Sequence, residues 1–479
     1  MKSRYLEFYT LCLLPALALA VSGIVSPAVA EENVLGAKHQ RAVEKLQEKA
    51  LADDRAYDIL ESLTTEIGQR LAGSDAEARA RVWGVDKFKS LGFKNARIEE
   101  FEIPYWSRTH EEASIVSPYP QDLYITALGN SVPTGPEGLT AEVVRFASLS
   151  ALKAAPMTGL EGKIIFVDEP MTRTQDGSGY GPAVAKRAGA ANEAGKRGAA
   201  AAIIRSVGTD SHRFPHTGVM RYANDVEKVP TAALSNPDAD QLARAIAYAD
   251  GPVEVFLKIG TETIDAVTSG NVIAEIPGET DELIVIGGHL DSWDLGTGAV
   301  DDGAGVAITV AAAKLIDEMR GKPRRTIRVI MWGAEEVGLL GARAYATAHA
   351  DELAKHVFAS ESDFGGGRIW KFQSRFSEED LPKAKLFADA LLPLGISPGD
   401  NLAFGGPDVT PLRMAGVPVA SLRQDGTDYF DLHHTPDDTF DKIDPEDLNQ
   451  NVAAWATMIY LASELPGDFR ESVSPVVSE

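Results

Sequence analysis

The 479-residue sequence holds a single cysteine, Cys12, which excludes a disulfide framework and any thiolate metal site. A metal would have to be held by His, Asp or Glu. Positive charge is scarce as well: 46 Lys and Arg stand against 70 Asp and Glu, and the net charge of −24 would repel a phosphate backbone. Nucleic acid is thereby a poor partner class. The chain has no Gly-x-Ser-x-Gly elbow, no His-Glu-x-x-His helix and no Gly-x-x-x-x-Gly-Lys loop, which argues against serine hydrolases, single-helix zinc peptidases and nucleotide enzymes. The apolar stretch from Leu11 to Val21 falls short of the roughly 20 residues that span a bilayer. With Lys2 and Arg4 ahead of it and Ala28-Val29-Ala30 before Glu31, it reads as a cleaved secretory signal over residues 1–30. The mature protein is expected to be secreted or periplasmic, without a stable membrane anchor.

What remains is ordinary globular composition, 44% hydrophobic and 24% charged, at a length that suits two or three domains. Residues 34 to about 90 carry apolar positions at helical spacing, such as Ala42, Leu46 and Leu51. The run from Ala96 to Pro104 alternates like a half-exposed strand, and Pro- and Gly-rich sequence from Ser117 to Gly138 places a boundary near residue 115. Between 116 and 265 short β-like runs flank an Ala- and Gly-rich helical stretch from Pro182 to Ala200. Few acids or histidines converge there, so the segment reads as a module apart from the chemistry, with His212 and His216 as solvated loop histidines. From Asn271 onward strands and helices alternate: strands at Glu282–Gly287, Thr326–Trp332 and His356–Ser360, helices at Gly303–Met319 and Leu339–His349. Such alternation predicts an α/β fold with a mostly parallel-centred mixed sheet flanked by helices.

Ligands of such sheets bind beyond the carboxyl ends of the strands. Three successive strand ends there deliver His289 and Asp291, Glu335 and Glu336, and Glu361 and Asp363, with Asp301-Asp302 ahead of a helix and His433-His434 farther on. Clustered carboxylates repel one another unless a cation lies among them, and imidazole mixed with carboxylate suits zinc. The number of acids favours two metals sharing one carboxylate. Either of the adjacent histidines could reach a metal. Asp408 stands between two readings, a receptor for a substrate amine and a solvated loop acid. The segment from Phe404 to Asp408, with Tyr429 and Phe430, is expected to contribute to the pocket wall.

The set Gly287-Gly288-His289-Leu290-Asp291-Ser292-Trp293-Asp294, Asp301-Asp302-Gly303, Ala334-Glu335-Glu336, Glu361-Ser362-Asp363, His433-His434 and Ala415-Gly416-Val417-Pro418 resembles the co-catalytic zinc aminopeptidases and carboxypeptidases of clan MH, most closely the carboxypeptidase Q group. The resemblance covers nearly all of the mature chain. It implies that His289 and Asp363 bind one zinc, Glu336 and His434 the other, and that Asp301 bridges both. His434 is preferred over His433 because the family ligand begins a His-Thr-x-x-Asp-Thr pattern, matched through Thr439. Glu335 is implied as general base toward a metal-bridging water, Asp291 as the acceptor of the other ring N–H of His289, and the peptide between Asp301 and Asp302 as cis. The family also supplies a β-rich protease-associated domain for residues 116–265, inserted between peptidase parts 31–115 and 266–479, and a homodimer. The expected activity is two-zinc hydrolysis of short peptides, dipeptides foremost, by an exopeptidase whose terminus preference the ligands leave open. The alternatives are a receptor-like relative without hydrolytic function, an aminopeptidase of longer peptides and a one-zinc glutaminyl cyclase. The full ligand set argues against the first and last of these.

Overall fold

Leu283–His289 forms the centre of the main sheet in the computed structural model, which describes residues 35–470; the expected leader lies outside them. This strand pairs in parallel with Thr326–Trp332 on one side and His356–Glu361 on the other. Val419–Gln424 adds a further parallel strand, and antiparallel neighbours follow on both flanks, Glu254–Ile276 beside Thr326–Trp332 and Ile369–Arg375 beside Val419–Gln424. Continuous apolar sequence suits the centre, because a strand covered on both faces has no solvent side. Ile284 and Ile286 enter one core with helices Ala304–Asp317 and Pro445–Glu464, while Val285 enters another with Ala342, Tyr345 and Leu412. The N-terminal helices Ala37–Ala50, Arg55–Ser62 and Asp75–Ser90 add Leu46, Leu60 and Phe88 to the first core. The strands and helices predicted from residue 271 onward are all present, with ends moved by at most two residues.

Lys94–Ser117 and Glu254–Ile276 pair antiparallel along almost their whole length, from Lys94 opposite Glu275 to Ser117 opposite Glu254. The boundary expected near residue 115 therefore lies at the far end of an unbroken strand. Ala96 and Ile98 pack against the first core, whereas Ala113 and Ile115 belong to a different one with Val255 and Leu257. Between these two long strands the chain builds a second layer. Leu139–Phe146, Ile164–Val167, Ala201–Arg205 and Thr231–Leu234 run parallel to one another. Helix Asn236–Tyr248 covers one face of these strands and helix Lys186–Lys196 the other. The segment expected to be β-rich thus carries helices on both sides of a small parallel sheet. No helix among the described residues is long and apolar enough to cross a membrane.

Candidate active site

The three central parallel strands end side by side, with Trp332 in register with His289 and Glu361 with Gly287. His289 closes its strand, Glu335 and Glu336 follow Trp332, and Asp363 follows Glu361. The loop carrying Asp301 is drawn tightly under this edge. A Cβ on Gly288 would lie 2.5 Å from Asp302 Oδ2, and one on Gly305 would lie 1.9 Å from the Ser362 carbonyl oxygen, so only glycine permits both approaches. Asp302 uses the closeness: its carboxylate accepts the main-chain N–H of His289 at 2.9 Å and of Gly305 at 3.1 Å. The peptide between Asp301 and Asp302 is cis, as the resemblance implied.

His289 Nε2 lies 3.0 Å from Asp301 Oδ1 and 3.6 Å from Asp363 Oδ1. His434 Nε2 lies 3.1 Å from Asp301 Oδ2 and 3.0 Å from Glu336 Oε2. Asp301 thus turns one oxygen to each donor group, and all five expected ligands come together. Two bonds of about 2.1 Å at a tetrahedral angle put ligand atoms roughly 3.4 Å apart, so these spacings fit a small cation in each group. Glu336 Oε1 is buried with no hydrogen-bond partner, a spare lone pair in the same place. Imidazole and carboxylate together fit zinc. Of the adjacent histidines, His434 meets both carboxylates; His433 stacks on it with ring centres 3.5 Å apart and approaches only Asp301, at 3.5 Å.

Burial disfavours charge on every group here, and at two of the imidazoles the neighbouring carboxylates oppose it. Burial opposes the charged form of His434, but Glu336 and Asp301 outweigh it and raise its pKa to about 9. His289 is raised in the same way against burial by Asp301 and Asp363, and these contacts hold the Asp301 carboxyl well below its ordinary value. Burial pushes Glu335 well up, aided by repulsion from Asp363, Asp408 and Glu336. A cation would reverse that push, since metal binding displaces protons from imidazole and stabilises carboxylate charge.

The expected partner of the second His289 nitrogen is corrected by the structure. Nδ1 lies 2.9 Å from the Asp291 main-chain carbonyl and 3.9 Å from its carboxylate, beyond hydrogen-bond range. The Asp291 carboxylate accepts the main-chain N–H of Glu335 at 3.0 Å and of Glu336 at 3.2 Å, which fixes the start of the acidic turn. Asp408 is fully buried with both carboxylate oxygens unpartnered, so the solvated reading fails. His212 is exposed as expected, but His216 is fully buried between Asp210 and the His433 carbonyl, each at 2.7 Å. A solvated loop histidine is thus replaced by a brace beneath the histidine pair.

Sequence reading also passed over Arg70 and Asp438, and over Tyr180 and Arg187 of the middle segment. Arg70 donates to the carbonyls of Leu290, Thr297 and Gly298 and draws in the loop before Asp301. Asp438 accepts the main-chain N–H of Val300 at 2.6 Å and of Asp301 at 3.2 Å. Its place in the His-Thr-x-x-Asp-Thr pattern was the available signal. A cavity of about 500 Å³ opens over the cluster, walled by Phe404, Tyr429 and Phe430 as expected and also by Tyr180 and Arg187 of the middle segment. That volume is in the range of small-molecule sites.

Comparison with known proteins agrees with this geometry. Residues 271–459 match the model of peptidase family M28. Carboxypeptidase Q of Mus musculus is 35% identical over 86% of this chain and 86% of its own, and that of Homo sapiens 34% identical over 89% of each. The crystal structure of a peptidase M28 precursor from Shewanella amazonensis superposes with a TM-score of 0.89 at 48% identity, covering 90% of this chain and 98% of that one. An aminopeptidase from Aneurinibacillus shares the fold with a TM-score of 0.63 at 23% identity, covering 91% of this chain and 98% of that one. Strand order, donor cluster and relatives converge, and the chain belongs to peptidase family M28.

Proposed function

We propose that the protein hydrolyses short peptides, dipeptides foremost, at a two-zinc centre held by His289, Asp301, Glu336, Asp363 and His434, with Glu335 as general base. As a member of its family, related to carboxypeptidase Q along most of its length, the chain is a zinc-dependent exopeptidase. The observation that carries the two-metal reading is Asp301, whose two oxygens face separate imidazoles, His289 at 3.0 Å and His434 at 3.1 Å. Zinc held by these residues would supply Lewis acidity to the scissile carbonyl and ease proton loss from the attacking water. Glu335 lines the cavity and carries a carboxyl of raised proton affinity. It takes a proton from the water as the new C–O bond forms and returns it to the amine nitrogen as the C–N bond breaks. Asp291 holds Glu335 and Glu336 in place through their main-chain N–H groups.

Residues 116–265 act in this reading as an inserted protease-associated domain that walls the cavity, and residues 1–30 as the leader of an exported enzyme. The test is zinc stoichiometry by plasma mass spectrometry, joined to a dipeptide panel with free and blocked termini before and after chelation. About two zinc ions per chain and chelator-sensitive cleavage are expected. Absence of cleavage after zinc reconstitution would favour the receptor-like alternative.

A further inference from the structure

The two candidate histidine ligands are held by different parts of the chain. His289 closes its strand and turns Nδ1 to the Asp291 carbonyl at 2.9 Å, so its partner comes from its own loop. His434 takes its partner from the middle segment, 217 residues away. Its backbone stands at φ 62°, in the left-handed region that a residue with a Cβ rarely adopts, and such a conformation persists only where the surroundings impose it. Residues 216 and 217 impose it here. His434 Nδ1 faces the Thr217 carbonyl at 3.2 Å, the Thr217 N–H donates to the His434 carbonyl at 3.1 Å, and His216 Nδ1 donates to the His433 carbonyl at 2.7 Å. Arg187 Nη2 also lies 3.4 Å from His434 Nδ1, but it is itself a donor, so the ring proton goes to Thr217.

His216 is anchored on its other sides. Its main-chain N–H donates to Ser206 Oγ at 2.8 Å, and that hydroxyl donates to the Leu234 carbonyl at 2.6 Å, which ties the residue to the ends of strands Ala201–Arg205 and Thr231–Leu234. His216 Nε2 meets Asp210 Oδ1 at 2.7 Å, and Asp210 is held in turn by Asn236 Nδ2 and the His212 N–H, each at 2.9 Å. Gly208 leaves the ring its room, since a Cβ there would collide with Nε2. A fully buried imidazole with both nitrogens satisfied has no lone pair or proton left for chemistry. What it supplies is the place of the His433 carbonyl, and with it the strained turn that aims His434.

We infer that His216 is the positioning residue for His434, and that through it the middle segment sets the affinity for the ion of the Glu336–His434 group without setting that of the His289–Asp363 group. This rests on the two-metal reading and deepens it. Loss of the partners that orient a ligating histidine lowers metal affinity by roughly 10- to 100-fold.

The experiment is competition of the full chain with a zinc chelator, in wild type, His216→Leu and His216→Asn, with bound zinc counted by plasma mass spectrometry. In His216→Leu one ion should keep its wild-type affinity and the other should weaken by about 10- to 100-fold. His216→Asn sets an amide N–H close to where Nδ1 stands and should recover part of the loss. If stranding the Asp210 carboxylate keeps His216→Leu from folding, the pair His216→Leu with Asp210→Asn takes its place. A merely structural defect weakens both ions together, so selective loss is the mark of positioning. Two ions held as in wild type, or both weakened alike, would overturn the inference. Hydrogen–deuterium exchange on the same full chains gives a readout that needs no metal count: residues 429–439 should exchange faster in His216→Leu, with Leu283–His289 unchanged. Equal protection of residues 429–439 in wild type and variant would also overturn it. Should the wild type bind fewer than two ions, the two-metal reading fails instead, and the exchange series still decides for His216.

Discussion

Two buried arginines sit at opposite ends of the parallel strands and are treated differently. Arg325, just ahead of Thr326–Trp332, donates to Glu282 at 2.8 Å and to the carbonyls of Ala462 and Leu465 at 2.6 and 2.7 Å, with Gly467 as a further acceptor. Arg187, beside the carboxyl ends, meets one phenol. The histidines repeat the contrast. His356, at the start of its strand, lies 2.8 Å from the Tyr345 hydroxyl and 2.9 Å from the Glu352 carbonyl, whereas Nδ1 of His433 is buried without a partner. Unpaired buried polar groups cost stability, so they persist where a ligand completes them. The amino ends of these strands hold the fold together, and the carboxyl ends are arranged for an occupant.

That contrast breaks most sharply at the shared carboxylate and the base. Asp301→Ala should abolish turnover and lower the zinc content, because both donor groups lose a ligand; retention of both ions at normal affinity would contradict bridging. Glu335→Gln should keep the metal and lower kcat on the order of 10³-fold, read by metal analysis alongside steady-state kinetics. Near-normal turnover would remove Glu335 from its role. Chelation comes next in size: the melting temperature should drop, since bound metal favours the folded state and its loss leaves like charges facing one another. An unchanged transition after verified metal removal would sever that coupling.

The two arginines give a smaller, purely structural test by urea unfolding. Arg325→Met should cost about 2 to 4 kcal/mol, because it strands three main-chain carbonyls and removes one cation from Glu282. Arg187→Met should change stability by less than about 1 kcal/mol or raise it, because no anion is stranded. Equal losses would erase the difference between the ends. An effect confined to acid pH concerns His356, whose pKa burial lowers from 6.5 to about 4. Here the unfolded chain binds the extra proton, so this residue's contribution is present above pH 6.5 and is lost as pH falls toward 4. Difference unfolding curves between wild type and His356→Gln should reveal a slope in that window, on the order of 3 kcal/mol overall. A flat difference would place the charge change elsewhere.

The half of the chain after residue 271 was readable because its strands are apolar on both faces and its reactive groups follow them within a few positions. Thr326–Trp332 came out with its exact ends, and His289, Glu336 and Asp363 fall where the strand-end rule puts them. His216 and Arg187 were not readable. The histidines they lie against, His433 and His434, are 217 and 247 residues away, a distance over which a single sequence carries no local signal. Asp291 shows a finer limit: the position was found, but whether a carbonyl or a carboxylate reaches His289 depends on backbone direction, which residue type does not encode.

The long strands Lys94–Ser117 and Glu254–Ile276 leave and re-enter the main sheet side by side, with Ser107 opposite Glu262 and Arg108 opposite Thr261. Chain entry and exit at adjacent points make the intervening stretch topologically removable, since a tight reverse turn could join the two strands there without disturbing the order of those beyond. Such a shortened chain would keep every strand end that gathers imidazole and carboxylate, and would lose both the Arg187 guanidinium and the His216 brace beneath the histidine pair.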